Sequence, residues 1–141
     1  MIIAIANQDG CGPGQALVAS HLAQLRARSG CKVKLLDAST ASTATGRTLP
    51  DRLESLHQRY RDIVIDTGGQ DTLASRAALI AARLVVVPLA PDPSSRQQLT
   101  TRLDAARMFN PGLRVLYAPF GDTGDPTPAE MDALYREIFA H

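Results

Sequence analysis

Residues 1–25 read MIIAIANQDGCGPGQALVASHLAQL, and the fold follows from how this stretch is parsed. An apolar run, 1–6, meets a glycine-rich segment, 7–16, and an apolar-periodic segment, 17–25, comes next. The reading is strand, turn, helix. Such a turn is a ready anion cradle, because the free N–H groups of a helix N-terminus and the helix dipole both point into it. A loop that grips nucleotide phosphates needs two further residues: a lysine on the β- and γ-phosphates and a Ser or Thr on magnesium. In this chain Gly14 and Gln15 occupy those two positions.

Working outward, short apolar runs recur at 2–6, 33–37, 63–66, 84–88 and 114–117. They are nearly continuous in hydrophobic character rather than alternating, as expected of parallel strands buried on both faces. The segments between them suit helices. Residues 14–28 carry Leu17, Val18, Leu22 and Leu25 on a helical period and stop before Gly30, a suitable C-cap. Residues 49–60 form a shorter amphipathic pattern, and 72–82 are alanine-rich. Residues 94–108 place Leu99, Leu103 and Ala106 on one stripe and stop before Asn110-Pro111-Gly112. The last helix opens with Thr127-Pro128-Ala129-Glu130, a capping box with proline at the first helical position.

This alternation predicts an α/β fold: a single doubly wound, mainly parallel five-stranded sheet with helices on both faces. Segments 39–45 and 121–126 read as loops, and no internal repeat is evident. In such sheets ligands bind beyond the carboxyl ends of the strands. Residues 7–15, 37–42, 66–70 and 90–93 all map to that edge.

Composition bounds the possibilities. A chain of 141 residues, 45% hydrophobic and 21% charged, fits one globular domain spanning 1–141. The longest apolar runs are too short to span a bilayer, and the start of the chain lacks the basic region and cleavage site of a signal peptide. A cytoplasmic location without membrane association is therefore expected. The net charge of +1 gives no global pull toward nucleic acid, although the cations are 13 Arg against 2 Lys. Arginine favours forked contacts to phosphate and carboxylate, but a GC-rich coding sequence also yields arginine. Arg96, Arg102 and Arg107 fall on one helix; a DNA-binding face and an ordinary solvated face are both open readings of that set. Cys11 and Cys31 are too few for a disulfide framework or a zinc site, and His21, His57 and His141 lack metal-ligand spacing. Cys11, near a helix N-terminus, is either a thiol of lowered pKa or a small residue filling the loop.

Three segments together carry a family resemblance. They are NQDGCGPGQALVASHLAQL (7–25), VKLLDASTASTATG (33–46) and YRDIVIDTGGQDTLASRAALIAARLVVVPLAPDPSS (60–95). In this order and spacing they resemble the ParA/MinD family of deviant Walker-type P-loop ATPases, which partition plasmids and chromosomes or position cell machinery. The likeness covers about residues 1–116. It implies a vestigial nucleotide loop at Asp9, Gly10, Cys11, Gly12, Pro13, Gly14 and Gln15, with Asp37, Ser39 and Asp66 beside it.

Carried over position by position, the family's chemistry is largely lost. The signature lysine that crosses to the other subunit's phosphates becomes Asp9. Two unit charges ~4 Å apart at an effective dielectric near ~20 interact by about 4 kcal/mol, so inverting one turns attraction into repulsion of that order. The second lysine becomes Gly14, and the magnesium-binding threonine becomes Gln15, a poor ligand for a small hard cation. Pro13 removes one N–H from the cradle. The acid that orients water becomes Ser39. Asp37 and Asp66 survive, as remnants of the metal site or as strand-end caps of the following turns.

The resemblance therefore implies a ParA-like protein of a plasmid or chromosome partition system that does not hydrolyse ATP. It is expected to bind Mg-ATP weakly or not at all, to have no catalytic residues and no resident metal, and to act through protein contacts. Its partner is then a second copy of itself or another partition protein. Two alternatives stand beside this: a nucleotide or anion sensor that binds without hydrolysis, and a divergent ATPase that recruits a distant arginine such as Arg47 or Arg96. Family members usually continue past the fifth strand with segments that help to bind adenine and DNA or membrane, so a reduced adenine-side wall is expected. The last helix, with Glu130, Asp132 and Glu137 against Arg136, is too acidic for a membrane-binding helix.

Overall fold

The structure is a computed structural model and describes residues 1–6, 14–38, 48–67, 72–88, 93–118 and 126–139; for 14–16, 93–96 and 98 it describes the backbone alone. The strands are β1 (Ile2–Ile5), β2 (Val33–Asp37), β3 (Asp62–Asp66), β4 (Leu84–Pro88) and β5 (Arg114–Ala118). The helices are α1 (Gly14–Arg28), α2 (Leu49–His57), α3 (Leu73–Ala81), α4 (Pro93–Arg107) and α5 (Pro128–Phe139). The strands form one sheet in the order β2-β3-β1-β4-β5, and every pair is parallel. Thus β1, the strand that leads into the glycine-rich segment, lies at the centre of the sheet.

The period of two along each strand sorts the core. Ile3 and Ile5 of β1, Val64 of β3 and Val86 of β4 turn to one face, where Val18, Ala19 and Leu22 of α1 and Met131, Leu134 and Ile138 of α5 cover them. Ala4 and Ala6, with Val85 and Val87, turn to the other face against Leu79 of α3 and Leu99 and Leu103 of α4. On that same face Ile63 and Ile65 of β3 meet Leu49 and Leu53 of α2. The strands are apolar on consecutive residues because both faces of the sheet are covered by helices.

Local chemistry sets the helix ends. Gly30 takes φ +93° just past α1, a left-handed conformation in which a side chain is strained, and its N–H donates to the Ala27 carbonyl at 3.0 Å. Thr48 caps α2 through a 3.4 Å bond from the Asp51 N–H. The predicted box on α5 forms in both directions: the Glu130 N–H donates to Thr127 Oγ1 at 3.2 Å and the Thr127 N–H donates to Glu130 Oε1 at 3.0 Å. A second box, which the sequence pattern did not announce, opens α3 through Thr72 and Ser75, with both bonds at 3.0 Å. Asn110 does more than end α4. Its Nδ2 donates to the carbonyls of Ala82 at 2.6 Å and Leu79 at 3.3 Å, closing the C-terminus of α3.

Several ends differ from expectation by one residue: β1 stops at Ile5, β5 runs to Ala118, and the third and fourth helices span Leu73–Ala81 and Pro93–Arg107; two further differences have a visible cause. α2 ends at His57, with Gln58 as its C-cap, rather than running to residue 60. β3 begins one residue early, at Asp62, because that carboxylate is buried against Arg26. The Arg26 Nε donates to Asp62 Oδ2 at 2.7 Å and one terminal N–H to Tyr135 Oη at 3.2 Å, while the guanidinium carbon lies 4.2 Å from the centroid of the Phe139 ring. Burial opposes the charge, but the bonds to Asp62 and Tyr135 and the field of Asp62 outweigh it and hold Arg26 above the ordinary guanidinium range. This cluster joins α1, β3 and α5 at the amino edge of the sheet. The predicted loops at 39–45 and 121–125 lie outside the described residues. Among the described residues no helix is long and apolar enough to cross a membrane.

Candidate functional site

The carboxyl edge of the sheet is fixed at its centre by backbone and hydroxyl contacts. The Ile5 carbonyl accepts from the Thr67 N–H at 3.1 Å and from Thr67 Oγ1 at 3.0 Å, and the Ala6 N–H donates to Val86 O at 3.0 Å. The ends of β1, β3 and β4 are thereby held level. Thr67 is buried, and its hydroxyl, one residue beyond Asp66, is a site residue that the sequence reading passed over. A β-branched hydroxyl residue directly after an apolar strand was the available signal.

Of the candidate residues, the topology brings four to this edge. Gly14 and Gln15 are the first two residues of α1 and so stand at its N-terminus. Asp37 closes β2 and Asp66 closes β3, and the two are direct register partners; Asp66 is also the register partner of Ile5 on the central strand. Register partners on neighbouring strands are ~4.8 Å apart in the backbone and present their side chains to the same face. Asp37 is exposed and Asp66 half-buried. Asp9, Gly10, Cys11, Gly12, Pro13 and Ser39 lie outside the described residues, as does Arg47.

The register thus sets two carboxyl residues side by side at the ends of β2 and β3. The nearest lysine in β2, Lys34, precedes Asp37 by three residues, about 10 Å along the strand toward the opposite edge. Arg26 is committed to Asp62 at that opposite edge. The first turn of α1 contains no acidic residue to compete for its N–H groups. Arg96 falls in the first turn of α4, and because α4 follows β4, that turn sits at the carboxyl edge too. Among the described residues no group of three or more His, Cys, Asp or Glu side chains is placed to hold a metal ion.

The arginines of α4 take separate positions. Arg102 is half-buried and lines a groove between α3 and α4. Arg107 pairs with Asp104, Nη1 to Oδ1 at 3.5 Å. Cys31 is a free, half-buried thiol beyond α1, and Cys11 falls outside the described residues.

No family model matches the sequence, and no curated protein matches it. Solved structures do match. A plasmid partition protein from Borrelia burgdorferi superposes with a TM-score of 0.68 at 17% identity, over 99% of this chain and 85% of that one. Cobyrinic acid a,c-diamide synthase from Mycobacterium smegmatis, with a bound ATP analogue and magnesium, gives 0.72 at 17% identity, over 94% of this chain and 77% of that one. McdA from Cyanothece, as its ATP complex, gives 0.64 at 17% identity, over 99% of this chain and 79% of that one. At such identities the likeness establishes the fold. The chain shares the parallel α/β architecture of these proteins, and the match extends past residue 116 to include α5.

Proposed function

We propose that this chain is a ParA-like pseudo-ATPase of a plasmid or chromosome partition system, a protein that keeps the family's fold and works through protein contacts rather than ATP turnover. The observation that carries the reading is the pairing of a ParA-type fold with Gly14 and Gln15 at the N-terminus of α1, where the motif requires a lysine and a threonine. Asp9 and Ser39 extend the same pattern to the trans-acting lysine and the water-orienting acid.

The donor set does not fit Mg-ATP. Asp37 and Asp66 are reasonable outer ligands for a hydrated divalent cation. Magnesium at a phosphate loop, however, is also held by a hydroxyl and by the phosphates, and those phosphates need a cation. Residues 1–25 contain no lysine or arginine to meet a polyphosphate. On this reading the segment from Asn7 to Gln15 is left only with joining β1 to α1.

The partition role rests on the structural neighbours, several of which are described as plasmid partition proteins. By the family resemblance, rather than by these neighbours, the chain would pair with itself or with another partition protein over the edge that carries the loop. Without a nucleotide bridge, such pairing is independent of ATP. A phosphate-release assay with Mg-ATP, run with and without DNA, tests the reading. No release above the buffer rate is expected; turnover abolished by Asp66→Ala would overturn it.

The placement of Arg96 favours a second reading, an anion sensor that binds without hydrolysis at the N-termini of α1 and α4. A ligand at ~100 times its dissociation constant adds roughly 2.7 kcal/mol of stability. A rise in melting temperature with ATP, ADP, GTP or inorganic phosphate that Arg96→Ala removes would select this reading. No rise with any of them would eliminate it.

A further inference from the structure

The amino edge of the sheet carries a row of cations. Lys32 directly precedes β2, Arg61 precedes β3, Arg83 precedes β4, and Arg114 opens β5. Backbone bonds tie the row together through β1: the Arg61 N–H donates to Lys32 O at 2.9 Å, the Arg83 N–H to Ile2 O at 2.9 Å and the Arg114 N–H to Arg83 O at 3.2 Å. Adjacent strands lie ~4.8 Å apart, so from β2 to β5 the row spans about 19 Å. All four side chains are exposed, and none pairs with a carboxylate among the described residues.

Compensation of helix dipoles does not account for the row. Cations are favoured at helix C-termini, and α1, α4 and α5 end at this edge with Arg28, Arg107 and Arg136 in their own last turns. The strand-start cations come in addition, and Lys32 beside Arg61 sets like charges together at a cost. The described acids of this edge are engaged or off the row. Asp62 is buried against Arg26, Asp104 pairs with Arg107, and Glu54 and Glu137 lie in the last turns of α2 and α5. Beside the row stands an apolar corner. Met108 and Phe109 are 81% and 75% exposed, and Asn110 Nδ2 donates to Ala82 O at 2.6 Å, which fixes their corner next to Arg83. The same corner leads through Leu113 into Arg114. Two large apolar side chains so exposed and side by side mark a contact surface, whereas a single one does not.

The two features together select the occupant. A second copy docking by the same edge about a two-fold axis would bring cations against cations. Duplex nucleic acid would use the cations and leave Met108 and Phe109 uncovered. A bilayer holds a peripheral protein in proportion to the apolar area buried, and two side chains at one corner offer little. An acidic stretch of polypeptide satisfies both features: guanidinium groups take carboxylates in forked pairs, and one apolar side chain covers the corner. At about 3.3 Å per residue, roughly six extended residues reach along the row. We propose that the amino edge docks an extended acidic segment of a partner protein, with an apolar residue of that segment seated on Met108 and Phe109 at the β4–β5 end. This gives a surface to the protein contacts proposed above. It lies at the opposite end of the strands from the loop, so its failure would leave the phosphate-release result untouched.

Selection of a random peptide library displayed on phage against the whole protein, without nucleotide, tests it. Enriched peptides are expected to combine several Asp or Glu with one Leu, Ile, Met or Phe. By fluorescence anisotropy, a labelled copy of the best one should bind about tenfold or more weakly to the double variant Arg83→Glu, Arg114→Glu and to Phe109→Ser, and should weaken as salt rises. These substitutions fall on exposed side chains, and melting curves will show whether the fold survives them. The pair Lys32→Glu, Arg61→Glu, at the other end of the row, is expected to give the same loss and serves if the first pair unfolds. No enrichment, enrichment of basic peptides, or binding indifferent to charge reversal would overturn the proposal. Loss on charge reversal with Phe109→Ser unaffected would also overturn it, as unspecific attraction. So would a random DNA duplex or phosphatidylserine vesicles that bind the edge more tightly than the peptide and displace it, or loss of self-association on charge reversal.

Discussion

Asp62 and Arg26 are the residues on which the amino edge of the sheet depends, with side-chain exposures of only 3% and 15%. Removing one partner leaves a buried charge, so Asp62→Ala is expected to lower stability by about 3 kcal/mol in urea unfolding. Because Tyr135 and Phe139 share the same guanidinium, Arg26→Ala should cost a similar amount, and the double variant much less than the sum. Additive losses would show that the pair is not coupled. None of this was legible in the sequence: Arg26, Asp62 and Tyr135 are far apart in the chain, and only the sheet register and the docking of α5 bring them together. The acids at the opposite edge were legible, because the ends of parallel strands converge whatever the details of packing. Asp37 and Asp66 accordingly stand as register partners. Asp9 to Pro13 and Ser39 lie outside the described residues, and the expectations for them rest on the sequence pattern.

The elements were readable where a local rule fixes them. Each strand lies within a residue of its apolar run at either end, and α1 spans the expected 14–28 because Gly30 stops it. Gly30→Ala forces a Cβ into left-handed backbone although nothing crowds that position, and about 1 kcal/mol of stability should be lost from the backbone alone. Thr72→Ala removes half of a capping box and should likewise cost about 1 kcal/mol. These sites share no partners, so the two losses should add. The rule failed where a cap comes from a distant element. Asn110 reads as a helix stop, and its bonds to Leu79 O and Ala82 O depend on α3 and α4 lying side by side. Asn110→Ala leaves two carbonyls short of a donor and should destabilise by about 1–2 kcal/mol, while loosening the corner that carries Phe109.

For the whole molecule, alternation of apolar runs and helical patterns determined the fold class, and the sheet order β2-β3-β1-β4-β5 placed the glycine-rich segment after its central strand. A fold of this kind ordinarily concentrates chemistry at the carboxyl edge; here the start of α1 carries Gly14 and Gln15 where a lysine and a threonine are expected, while apolar surface is exposed between α3 and α4. If self-association uses the loop edge without a nucleotide bridge, light scattering should give the same mass with and without Mg-ATP, and a mass that rises only with ATP would refute that arrangement. The central claim is that a sound scaffold carries a disabled loop, and one comparison tests it most directly: calorimetric titration of Mg-ATP into the native chain and, in parallel, into the variant Asp9→Lys, Gly14→Lys, Gln15→Thr. The account predicts no measurable binding by the native chain and restored micromolar binding by the variant, since the fold and Asp66 are already in place. Micromolar binding of Mg-ATP by the native chain would contradict it.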